Sequence, residues 1–138
     1  EIGVTRFVPM KTKYSETTKL NYERLKRISI EAVEQSNSLN LPIIEDLRNI
    51  EDILNEWDDE IIIIFCDEKG GYPVSKFIDL PKKKSKYAIF IGPVGGCHEY
   101  ERQALINKKS LHINFGENIL KADTAAIFCL SCLKSIML

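Results

Sequence analysis

The chain is poor in the cysteines and histidines from which disulfide frameworks and many metal centres are built, and it has no long apolar run. Its 138 residues include four cysteines, two histidines and one tryptophan. Cys66, Cys97, Cys129 and Cys132 lie in apolar or glycine-rich surroundings, without the dense spacing of a stapled scaffold, which suits a reducing cytosol. No apolar run approaches the roughly 18 residues of a membrane helix. The opening Glu1-Ile2-Gly3-Val4 has neither a Met nor the apolar core of a signal peptide. A soluble, cytoplasmic chain, cut from something longer, is the expectation. An excess of basic charge is missing too: Lys and Arg number 19 against 20 Asp and Glu, for a formal charge of −1. That near-neutrality argues against strong autonomous RNA binding.

What is present suffices for one core, since 44% of the residues are hydrophobic, and without repeats or low-complexity tracts a single domain spanning 1–138 is the economical reading. Thr17 to Gln35 sets Leu25, Ile28 and Ala32 among charged residues, the pattern of an amphipathic helix with an N-cap at Ser15 or Thr17. A short helix from Ile50 to Trp57 is expected, its N-terminal dipole favoured by Glu51 and Asp52. Trp57 reads as a packing residue. Ile61 to Phe65 is a continuous β-branched run, as in a strand covered on both faces of a parallel sheet, and Tyr87 to Ile91 repeats the pattern. Between them, 67–86 reads as loop apart from an apolar stretch at Phe77 to Leu80, and its Lys82, Lys83, Lys84 and Lys86 read as solvated rather than phosphate-binding. Beyond it, a helix from Glu99 to Asn107, a strand from Leu111 to Phe115 and an apolar helix from Asp123 to Leu138 complete an alternating α/β order.

Glycine-bearing loops follow the last two strands: Ile91-Gly92-Pro93-Val94-Gly95-Gly96, and Phe115-Gly116-Glu117-Asn118-Ile119-Leu120. Ligands of open α/β sheets bind beyond the carboxyl ends of strands, where glycine lets backbone amides approach closely. Neither loop is GxGxxG or a P-loop, and a mere tight turn explains the first about equally well. A nucleotide-binding α/β domain is accordingly a poor reading.

Taken together, Phe7-Val8-Pro9, the helix Glu31-Ala32-Val33-Glu34-Gln35-Ser36, the loop Gly92-Pro93-Val94-Gly95-Gly96 and the run Phe115-Gly116-Glu117-Asn118-Ile119-Leu120-Lys121-Ala122-Asp123-Thr124-Ala125 resemble the bacterial 16S ribosomal RNA uridine-N3 methyltransferases, the RsmE branch of the SPOUT superfamily. The resemblance implies a parallel sheet flanked by helices with a C-terminal trefoil knot, S-adenosylmethionine as cofactor, 16S ribosomal RNA as substrate, and a homodimer. It places cofactor contacts at Ile91, Gly92, Gly96, Phe115, Gly116, Ile119, Leu120 and Thr124, and sets Asn118, Lys121 and Thr124 near the reacting base. Against that family, the expectation is a single methyltransferase domain over 1–138, without the family's N-terminal PUA-like RNA-binding domain. Several family residues are exchanged. Val94 stands for a glutamate, Asn118 and Lys121 for arginines, Asp123 for a glutamate, and Tyr14 and Ser38 occupy places where arginine is common, so the alternative is a degenerate domain that binds cofactor or RNA without efficient turnover. His98 replaces a serine N-cap, an exchange expected to cost on the order of 1 kcal/mol of local helix stability unless Cys97 or a neighbour compensates.

Three further features read as ordinary packing or surface. Cys129-Leu130-Ser131-Cys132 is a CxxC inside an apolar helix with no second pair to complete a zinc site, so packing is expected rather than a metal. His112 falls on the polar side of an alternating strand and is expected to be exposed; His98, beside the glycine loop, is a lesser candidate for a proton acceptor. The last helix carries apolar residues around more than one face, which favours a homodimer contact.

Overall fold

A computed structural model describes residues 1–16, 18–81 and 85–138; the Thr17 cap and the Lys82, Lys83 and Lys84 run lie outside the described residues. Four strands form the main sheet: β5 (Ile61–Cys66), β6 (Tyr72–Pro73), β7 (Lys86–Phe90) and β8 (Ser110–Asn114), in the order β6-β8-β5-β7, every pair parallel. The isoleucine run occupies the centre. Ile62 to Phe65 are buried on both faces, and that is why no alternation appears there. Four two-residue strands, β1 (Arg6–Phe7), β2 (Met10–Lys11), β3 (Ile43–Ile44) and β4 (Arg48–Asn49), pair as β1 with β3 and β2 with β4, again in parallel. Strands this short have no periodicity to read.

The described residues hold four α-helices, α1 (Tyr22–Gln35), α2 (Ile50–Asn55), α3 (Glu99–Ile106) and α4 (Ala122–Met137); α2, α3 and α4 contribute to the cores on the sheet, whereas α1 packs beside β3. The first starts later than the periodicity predicts. Its cap is Asn21, whose side-chain oxygen accepts the Arg24 N–H at 3.0 Å, and Thr18, Lys19 and Leu20 ahead of it are not helical. None of its residues is buried, and Ile28 and Ile30 face outward. On one side of the sheet Ile50, Leu54, Ile63, Phe65, Phe90 and Leu105 form a core, with Trp57 packed against it and donating its indole N–H to the Ile61 carbonyl at 3.1 Å. On the other, Ile64, Phe77, Ile113 and Cys129 pack with Cys66, Cys132 and Leu133. Phe77, the start of the apolar stretch set apart within 67–86, belongs to a 3-10 segment, Val74–Asp79, on which α4 packs.

The CxxC pair therefore stands in apolar packing, as its surroundings in the sequence suggest. Contact with Cys66, followed by burial, pushes the Cys129 thiol up, and desolvation raises Cys132. No helix of the described residues is long and apolar enough to cross a membrane.

Candidate functional site

Parallel pairing decides where the site lies. Register sets Phe65 beside Phe90 on one flank and Cys66 beside Ile113 on the other, so β5, β7 and β8 end at nearly the same height. Their following segments, Asp67 to Lys69, Ile91 to Cys97 and Phe115 to Lys121, meet around a cleft of about 610 Å³, within the range of small-molecule sites. Ile91, Gly92, Gly96, Phe115, Gly116, Asn118, Ile119, Leu120 and Lys121 all line it, so the two loops singled out in the sequence are brought together.

Thr124 is the exception. It is exposed and absent from the cleft wall, although Ala122, Asp123 and Ala125 belong to it. Helical phase is the reason. At about 100° per residue, Thr124 points some 160° away from Ala122. Its N–H bonds to the Asp123 carboxylate at 2.8 Å instead.

Close approach of neighbouring groups accounts for three of the glycines. A Cβ on Gly96, where φ is +76°, would stand 2.8 Å from the Glu68 carboxylate, and one on Gly92 would stand 3.0 Å from the Cys97 sulfur. A Cβ on Gly95 would stand 3.1 Å from the Cβ of Tyr14. Gly116 differs: its φ is +106° and nothing lies within 4 Å of where its Cβ would be, so open space remains beside its backbone.

His98 caps α3 in a reciprocal arrangement. Its Nδ1 accepts the Tyr100 N–H at 3.3 Å while Glu101 accepts the His98 N–H at 2.9 Å. The exchange from serine therefore preserves a cap, contrary to the loss expected from sequence, and His98→Ala should lower stability by about 1 kcal/mol in a denaturant titration. This engagement, together with aromatic contacts to Tyr14 and Tyr100, takes up the ring nitrogen on the side of the helix. His98 is not among the residues lining the cleft.

Below the rim lies a polar network that composition and spacing did not flag. Asp67 is 4% exposed. Its Oδ2 accepts from Arg102 through Nε at 3.0 Å and Nη2 at 2.8 Å, its Oδ1 accepts the Lys69 N–H at 3.0 Å, and His112 Nδ1 stands 3.4 Å from Oδ2. His112 in turn reaches Ser110 Oγ through Nε2 at 3.1 Å. The expected exposure of His112 is thus corrected: its side chain is 16% exposed, because the polar face of β8 turns toward the end of β5 rather than toward water. The signal for Asp67 was its place, one residue past the central strand.

Glu101, 1% exposed, accepts the N–H of His98 with one oxygen and that of Lys13 with the other, at 2.7 Å. One carboxylate so ties the N-terminal segment to the end of the 91–97 loop. Burial, and after it the charges of Glu101, Asp67 and Glu68, push the nearby Cys97 thiol up to about 12. Its thiolate fraction at pH 8.5 should be roughly a thousandfold below that of a free cysteine, and site-resolved mass spectrometry after alkylation should find it slow. The unfolded thiol ionises from near its ordinary value while the native one holds its proton, so this contribution to stability is complete below about pH 8.5 and is lost as pH rises toward 12.

The RNA methyltransferase domain family matches residues 1–134. The chain is 34% identical over 128 residues to ribosomal RNA small subunit methyltransferase E of Rickettsia conorii, covering 92% of this chain and 52% of that protein. It is 27% identical over 145 residues to the enzyme of the same name from Bacillus subtilis, covering 96% and 56%. It thus spans about half the length of these curated relatives. The fold superposes with a TM-score of 0.84 on a crystal structure of a hypothetical protein at 26% identity, over 99% of this chain and 67% of that one.

Proposed function

This chain belongs to the RNA methyltransferase domain family, and we propose that it is the catalytic part of a SPOUT-type enzyme that methylates uridine N3 of 16S ribosomal RNA in the cytoplasm, with S-adenosylmethionine as cofactor. The observation that carries the reading is the meeting of 91–97 and 115–121 on one cleft beyond the carboxyl ends of parallel strands. The residues present fit the cofactor. Ile91, Phe115 and Leu120 offer apolar surface for an adenine ring, and the open space at Gly116 leaves backbone groups free to read its edge. A solved relative from Neisseria gonorrhoeae, ribosomal RNA small subunit methyltransferase E bound to S-adenosyl methionine, shares the fold at a TM-score of 0.87 and 20% identity, over 98% of this chain and 56% of that one.

When bound, S-adenosylmethionine supplies an electrophilic methyl group. The chain's own work is positional. Asn118 and Lys121, both at the cleft, carry donors for the uracil oxygens, where charge grows as N3 loses its proton. Glu117 and Asp123 place carboxylates on the same wall as acceptors for that proton. Thr124 takes no direct part in this arrangement; it helps through its bond to Asp123.

The reading includes a C-terminal trefoil knot, supported by the fold likeness and by the packing of α4, last in the chain, on the 3-10 segment Val74–Asp79. It includes a homodimer through α4 as well. Ile127 is 58% exposed there, and Ala126, Leu130 and Leu133 flank a long groove shared with Phe7, Val8 and Tyr14.

Small ribosomal subunits from a strain lacking the modification, incubated with radiolabelled S-adenosylmethionine and the full-length protein, should take up label that nucleoside analysis places on N3-methyluridine. Label in another nucleoside contradicts the substrate; cofactor binding with no transfer favours the degenerate alternative.

A further inference from the structure

The cleft holds one arginine, and it comes from neither of the two glycine loops. Arg102 projects from the first half of α3, its side chain 24% exposed, and directs Nε and Nη2 to the same Asp67 oxygen. Nη1 has no protein partner among the described residues, and among them no side-chain nitrogen or oxygen shut off from solvent lacks one. The remaining donors of the guanidinium are therefore open to the space that Arg102 lines. A guanidinium already fixed along one edge loses little freedom when its other edge binds an oxyanion.

The setting selects the oxyanion. Asp67, its fixing partner, is almost wholly buried, with Phe65 and Cys97 beside it in the same wall, whereas Lys69 and Lys121 are exposed on the rim. A phosphodiester flanked by two riboses suits cations at a rim. A recessed guanidinium suits a slim terminal group such as a carboxylate. Resting on the reading that the cleft takes S-adenosylmethionine, we propose that Arg102, held by Asp67, binds the α-carboxylate of its methionine moiety and so fixes the donor's amino-acid end.

Two ligands divide the question. S-adenosylhomocysteine carries the carboxylate; 5′-methylthioadenosine has the same nucleoside without the amino-acid end. Calorimetry on the folded protein should show Arg102→Gln weakening S-adenosylhomocysteine by about tenfold to a hundredfold, while 5′-methylthioadenosine changes less than about twofold, and Arg102→Lys should fall between. Decarboxylated S-adenosylhomocysteine should bind the unaltered protein more weakly by a similar factor, a comparison that needs no variant to fold. Equal losses for both nucleosides, or no loss for either, would overturn the assignment. Should the unaltered protein bind S-adenosylhomocysteine and its decarboxylated form equally, the assignment also falls while the cofactor reading stands. Binding of neither S-adenosylhomocysteine nor 5′-methylthioadenosine would remove the cofactor reading, and the assignment with it.

Discussion

Replacing Glu101 by alanine should destabilise the fold by about 3 kcal/mol, on the order of 10 °C in Tm for a domain of this size. The carboxylate is 1% exposed and accepts two backbone N–H groups from segments far apart in sequence, those of Lys13 and His98. Alanine would leave both donors unpaired around a cavity, and donors bonded to a charged acceptor lose more than those in a neutral pair. Glu101→Gln keeps one acceptor oxygen but points an amide N–H at the other donor, so its loss should be real and smaller. A thermal melt followed by circular dichroism orders the three proteins. A change below about 1 kcal/mol in the alanine variant would mean that this bridge contributes little. Because His98 ends the loop that begins at Ile91, the alanine variant should also bind cofactor more weakly than its stability loss alone explains.

The second large effect concerns Gly116, which stands at a φ of +106° and lines the cleft. Gly116→Val should abolish detectable cofactor binding, a loss of at least about a hundredfold. A β-branched residue at that φ costs on the order of 1–3 kcal/mol, and the loop can relieve the strain only by moving backbone that now faces the cleft. Any side chain that stayed in place would also project from Cβ into space that is now open. Equilibrium dialysis with labelled S-adenosylmethionine reads the result directly. Retention of affinity within about threefold would show that the 115–121 loop does not form the binding surface.

The long elements were legible because their signals are strong. The isoleucine run of β5 follows from burial on both faces, whereas α4 buries one stripe, Ala125 and Cys129, and leaves Ile127 and Phe128 exposed; the glycine loops stood where parallel strands must end. The short parallel pairs β1 with β3 and β2 with β4 were not, since two residues carry no period and their partners lie far along the chain. Helix α1 was placed correctly in kind but begins at Tyr22, because Asn21 supplies the capping oxygen while the Ser15 hydroxyl is engaged with Thr12. At the site, spacing located both loops but could not resolve which way each helical residue points, and Thr124 was lost on that ground. The Asp67, Arg102 and His112 network joins three elements through contacts between residues 35 and 45 positions apart; no local pattern encodes it. His112 illustrates the point. Its alternating position identified the polar face of β8, but only the neighbouring strand end determines whether that face meets water or a buried carboxylate.

Isothermal titration of the folded protein with S-adenosylmethionine tests most directly whether two strand-end loops form a cofactor site. Saturable binding with one site per chain, lost in Gly116→Val while the variant remains folded, is the result expected from the geometry. Absence of saturable heat in the unaltered protein, or undiminished binding in the variant, would contradict it.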